Sequence, residues 1–164
     1  MDWYPWIKLL HVVGSFGFVL AHGASAFAAI RIRSEREPSR VAALLDVSGA
    51  SIGVMYSSLL ILLVSGIAAG FIGGFWGKAW IWIAIGVLAV VTVAMYVLGS
   101  QHYAKVRRAV GIKAYNDPKD APPPAPLSAA ELEPLLTSNR PGLLAAIGGV
   151  GLVVILWLMV MKPL

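Results

Sequence analysis

Residues 47–77, VSGASIGVMYSSLLILLVSGIAAGFIGGFWG, run 31 positions without a charged side chain. A helix crosses a ~30 Å hydrocarbon core with about 20 apolar residues, so this stretch alone predicts a membrane span. The rest of the chain repeats the pattern. Residues 79–104 add 26 uncharged positions and residues 141–161 another 21, and between Val12 and Ile30 the only ionisable group is His22. Four transmembrane helices follow, at about 4–30, 47–72, 79–104 and 141–161, which use residues 1–164 as a single integral membrane domain.

Composition agrees. Of the 164 residues, 59% are hydrophobic and 13% charged, about half the charge of a water-soluble fold. Backbone groups in lipid must be satisfied internally, by helices or by a closed barrel. Barrel strands alternate polar and apolar residues, whereas these runs are apolar throughout, so the expected fold is an all-α, four-helix up-down bundle. The chain has no cysteine, which excludes disulfides, thiolate metal sites and iron–sulfur clusters.

The placement of charge predicts orientation. Arg31, Arg33, Arg36 and Arg40 lie in one loop, and Lys105, Arg107, Arg108, Lys113, Lys119 and Arg140 in another, together 10 of the 13 basic residues. The positive-inside rule puts both loops in the cytoplasm and both termini on the other side. The setting expected is a bacterial cytoplasmic membrane. The net charge of +5 is then a topology signal with anionic-lipid contact as its second meaning, and no nucleic-acid partner is expected. All six tryptophans, Trp3, Trp6, Trp76, Trp80, Trp82 and Trp157, fall at the opposite end. That fits a belt at the headgroup level, an aromatic cofactor site on the outer face being the alternative. Ala24-Ser25-Ala26 resembles a signal-peptide cleavage site, but Asp2 precedes the first cation, Lys8, so helix 1 is expected to be retained.

Within the spans the informative residues are small or polar. On helix 1, His11, Ser15, Phe18, His22, Ser25 and Ala29 fall on one stripe at 100° per residue, which is expected to face the bundle interior. Helix 2 carries Ser51, Met55, Ser58, Leu62, Ser65 and Ala69 at alternating spacings of four and three, a seam that lets helices approach closely. Gly66 with Gly70, and Ala145 with Gly149 on helix 4, add small-xxx-small pairs. Residues 39–46 read as an interfacial helix or an extension of helix 2. The loop 105–140 contains Pro122-Pro-Pro-Ala-Pro126 and reads as an extended linker, or else a docking segment. Ser128 and Glu131 have capping-box spacing, which predicts a short helix after them.

No aspartate, glutamate, lysine or arginine lies inside helices 2, 3 or 4, and no nucleophile or metal-protease motif is present. No catalytic residue and no metal site are therefore assigned. The histidines remain, and haem b is the cofactor they would hold. His22 lies about 13 Å and His102 about 5 Å inside the boundary marked by the basic residues, at the helical rise. Met55 and Met95 match the depth of His22 better. His11, His22, His102, Met55 and Met95 are thus the candidate haem ligands.

Trp6-Ile-Lys8-Leu-Leu-His11, followed by Gly14 and Gly17, resembles the opening of small bacterial four-to-five-helix membrane families, including predicted membrane proteins of unknown function. The closing Leu158-Met-Val-Met161-Lys-Pro is similar to the same group. Helix 1 also resembles the haem-binding protoporphyrinogen oxidases of HemJ type, and that resemblance implies a haem ligand at His11. The chain has Phe18 where that family has Trp, and no lysine inside helix 3. The expected role is a non-catalytic subunit or assembly protein of a membrane complex, of respiratory or redox type, joined to other membrane subunits or to further copies of itself. The alternative is a b-type haem protein for electron transfer or haem handling.

Overall fold

A computed structural model describes residues 2–163. Helices α1 (Tyr4–Ile32), α2 (Pro38–Ile72), α3 (Ala79–Ala109) and α5 (Arg140–Met161) are each long and apolar enough to cross a membrane, and α4 (Ala129–Leu136) is a short helix before the last span. Among the described residues there is no strand. The spans fall where the charge gaps put them. The 35 residues of α2 extend about 52 Å at 1.5 Å each, well beyond a ~30 Å hydrocarbon core. Residues 39–46 are therefore the extension of helix 2. Pro38 opens that helix with φ already set, behind an extended Glu37. Helix α3 likewise continues to Ala109, five residues past the predicted 104.

The four spans form two zipped hairpins. α1 packs along α2, α3 packs along α5, and the hairpins meet more narrowly, through α1 and α5. Small residues explain the close pairs. A Cβ on Gly14 would stand 2.9 Å from the Leu62 amide nitrogen, and one on Gly151 2.5 Å from Val91 Cγ2. Ser25 and Ser48 share a hydrogen bond of 2.7 Å between their hydroxyls. The helix 2 seam of Ser51, Met55, Ser58, Leu62, Ser65 and Ala69 is buried or half-buried throughout, and so is the helix 1 stripe.

Two apolar clusters close the ends. At the basic end, Ile32, Val41, Leu45, Val106, Ala109, Leu132 and Leu136 join α1, α2, α3 and α4. At the other end, Trp80, Ile81, Ala84 and Leu158 pack with Phe75, Trp76 and Met159 around a 3-10 turn, Phe75–Gly77. Gly74 enters that turn at φ +66°, a conformation that favours glycine. Lys162 Nζ lies 4.8 Å from the Phe75 ring centroid, a cation–π contact that ties the end of α5 to the turn. Trp76 and Trp80 are thus packing residues as much as interface anchors. Trp3, Trp6, Trp82 and Trp157 keep the exposure of a belt.

The loop 110–128 is not a free linker. Gly111, at φ +80°, ends α3, and Pro124 and Pro126 fold back over it. The Leu127 amide donates to the Ala109 carbonyl at 2.9 Å. Arginine side chains at the end of α3 hold this cap, which proline content alone does not reveal. Arg108 grips the Asp117 carboxylate, whose other oxygen accepts the Ala114 amide at 2.8 Å. Arg107 donates to the Lys113 carbonyl at 2.8 Å, lies 4.7 Å from the Tyr115 ring centroid and faces Asp46 at 3.7 Å. The predicted short helix is α4, with the Glu131 carboxylate accepting the Ser128 amide and hydroxyl at 3.1 and 2.7 Å.

Candidate functional site

The polar stripe of α1 is the one run of imidazoles inside the spans, and its two histidines face different helices. His11 Nδ1 lies 2.9 Å from the Leu62 carbonyl oxygen. A carbonyl only accepts, so Nδ1 is the donor in this contact and Nε2 takes no part in it. Ser65 Oγ stands 3.4 Å from the same nitrogen, and Gly66 makes room for the ring, since a Cβ there would come within 3.0 Å of His11 Cε1. Ser15 Oγ donates to the His11 carbonyl at 2.8 Å, which satisfies a hydroxyl that would otherwise lie unpaired in the span.

His22 turns to the other hairpin. Its ring stacks on Phe18, one turn earlier, with planes 1° apart and centroids 6.0 Å apart. A Cβ on Gly148 of α5 would lie 2.6 Å from His22 Nε2. Gly148 therefore lets α1 and α5 touch at this level. It also closes the Nε2 edge of the ring, so an iron at that nitrogen requires the hairpins to part.

His102 sits on α3 near the basic end, 7% exposed, with its ring edge-on to Tyr103 at 5.2 Å. It shares no depth with His11 and is separated from His22 along the bundle axis. The methionines match the expected depth more closely. Gly17 opposite Ser58 and Ser25 opposite Ser48 set the α1–α2 register, so Met55 lies within a turn of the level of His22. Gly151 opposite Val91 and Leu144 opposite Gly99 put Met95 level with Gly148, and hence with His22. Of the five candidate ligands, His22, Met55 and Met95 share a depth, while His11 and His102 stand apart. Among the described residues no group of three histidine, cysteine, aspartate or glutamate side chains is close enough to hold a metal ion.

Gly148 is a site residue that sequence reasoning misses, and Gly66, expected only as half of a small-xxx-small pair, takes its role from His11. Each is a small residue in an apolar run, and its meaning depends on which imidazole the fold brings against it. The signal available is register. An antiparallel α1–α2 hairpin with a short turn places residue 66 near residue 11.

Three carboxylates of the basic end are held by local hydrogen bonds. The Arg108 guanidinium and the Ala114 amide hold the Asp117 carboxyl below its ordinary range. The Ser128 hydroxyl and amide do the same for Glu131. Hydrogen bonds from the Glu37 and Arg36 amides lower Glu35.

No family model, no curated protein and no solved structure matches the chain.

Proposed function

We propose that the protein is a membrane subunit that assembles with the transmembrane helix of a partner subunit or of a second copy, in a bacterial cytoplasmic membrane with its basic end in the cytoplasm. One observation carries this reading. The small residues of helices 1 and 2 are largely spent inside the chain, on Gly14, Gly17 and Gly66, while helix 4 packs through Gly148 and Gly151 and leaves Gly149 of its predicted Ala145–Gly149 pair exposed. A further small-residue stripe is left open on α2. Ala50, Gly53 and Ser57 are exposed, and a Cβ on Gly53 meets nothing within 4 Å. The Ser57 hydroxyl is tied back to the Gly53 and Val54 carbonyls at 3.0 and 3.1 Å, which leaves a shallow, nearly apolar groove. Such grooves let membrane helices approach until their backbones touch. Ten basic residues at one end and none of the tryptophans there support the orientation. Size measurement of the complex purified in mild detergent tests the reading: an assembly larger than one chain is expected, and a strict monomer with no co-purifying subunit overturns it.

A second reading, a b-type haem protein, is favoured by the hydrogen bond from His11 Nδ1 to Leu62, because it leaves Nε2 as a free ligand nitrogen. Haem would supply one-electron chemistry there, and the protein's part is to hold the imidazole by its carbonyl partner. A visible spectrum of protein expressed with ample haem decides it. A Soret band that His11→Phe abolishes supports haem ligation, and no band removes it.

A further inference from the structure

At the basic end, α3, α4 and the start of α5 enclose a shallow cavity of about 180 Å³. Gln101, His102 and Lys105 line it from α3, Ser138 and Arg140 from the α4–α5 junction, and Pro134 from α4. Its chemistry is one-sided. Two cations, an imidazole, an amide and a hydroxyl converge, and no carboxylate lines the wall. Among the described residues, neither Lys105 nor Arg140 has an ion-pair partner, although Arg36, Arg40, Arg107 and Arg108 all do. The Arg140 amide donates to Ser138 Oγ at 3.3 Å, which leaves the hydroxyl proton free to donate into the cavity. His102 forms the inner wall, 7% exposed. Two like charges lining one cavity repel, and an anion with several acceptor oxygens relieves that repulsion while accepting hydrogen bonds from them.

The depth of the cavity narrows the ligand. Lys105 marks the last turns of α3, where the apolar run of residues 79–104 gives way to Arg107 and Arg108. That is the level of phospholipid headgroups. From this convergence of unpaired donors we infer that the cavity is a binding site for a phosphate group, with the headgroup of an anionic phospholipid as its source at this depth. Basic pockets beside transmembrane helices bind such headgroups through the same contacts. The inference is independent of the assembly reading, since it uses neither α1 nor the α2 stripe.

The full chain is placed in nanodiscs of phosphatidylcholine doped with phosphatidylglycerol, and the lipids it retains are counted by native mass spectrometry. The intact protein is expected to keep phosphatidylglycerol in preference to phosphatidylcholine. Lys105→Gln and Arg140→Gln are each expected to lower that retention about fivefold, the effect of losing one direct charge-assisted contact to the phosphate. Lys105→Arg is expected to preserve it, and so is Arg31→Gln, which removes the same charge outside the cavity. Lys105 is exposed and unpaired, so its variants leave the fold intact. Competition by inorganic phosphate supports the site and extends its source to the soluble ion, and lack of competition supports the lipid alone. Absence of any preference for phosphatidylglycerol overturns the inference, as does an equal loss with Arg31→Gln.

Discussion

Gly14 of α1 lies so close to Leu62 of α2 that a Cβ on it would stand 2.9 Å from the Leu62 amide nitrogen and 3.1 Å from the Ser58 carbonyl oxygen. Both obstacles are backbone, and the backbone of a zipped helix pair cannot give way at one point. Three residues on, a Cβ on Gly17 would come nearer still, 2.5 Å from Ser58 Oγ. That obstacle is the end of a rotatable side chain. Gly14→Ala is therefore expected to destabilise the protein by about 1–3 kcal/mol, the usual cost of overpacking, and Gly17→Ala by less than about 1 kcal/mol. Unfolding of the detergent-solubilised variants measures both. The reverse order contradicts the close backbone approach.

Trp80 is 4% exposed within the cluster at the tryptophan end, whereas Trp157 is 51% exposed. Removing a buried tryptophan costs about 3–5 kcal/mol. A lipid-facing one away from such a cluster costs less than about 1 kcal/mol. Trp80→Ala is expected to lower the unfolding temperature markedly and Trp157→Ala slightly. Equal effects would mean that both rings serve only as interface anchors.

The cap at the basic end responds to acid through Asp117. Its folded-state pKa lies below the ordinary carboxylate value because Arg108 and the Ala114 amide favour the ionised form. The stabilisation is complete above that ordinary value, about 4, and is lost as pH falls through the lowered one. Protection from hydrogen exchange in segment 113–120, taken relative to the intrinsic amide rate at each pH, should be high at neutral pH and fall below about pH 4. Asp117→Asn should show low protection already at neutral pH and little further change in protection on acidification. Slow exchange in that variant would show that Arg108 and Asp117 do not hold the cap.

Span positions, the inward stripe of α1, the inward seam of α2 and the short helix after Ser128 were all legible in the sequence. Each is a local pattern, a charge gap, a helical period or a capping spacing. Three features were not legible, because each depends on residues far apart along the chain. The α2 seam of Ser58 and Ser65 closes on α1 of the same chain, a choice that spacing alone leaves open. The loop after α3 is a folded cap because Arg108 reaches Asp117 while Arg107 holds the Lys113 carbonyl and faces Asp46 on α2, far earlier in the chain. His11 and His22 share a stripe yet face α2 and α5 respectively, since the stripe is broad enough to touch both. The proposed phosphate cavity was equally hidden. Lys105 and Arg140 are 35 residues apart and read as topology signals until α4 brings them to one wall.

Assembly through the open face of α2 has a direct test that the composition makes clean, because the chain has no native cysteine. Gly53→Cys carries a thiol-linked photo-crosslinker into the stripe, and Val93→Cys carries it to an exposed position on α3. After irradiation in native membranes, a discrete adduct larger than one chain is expected at position 53 and none at position 93. Unmodified monomer at both positions, or equal adducts at both, would contradict assembly through this face.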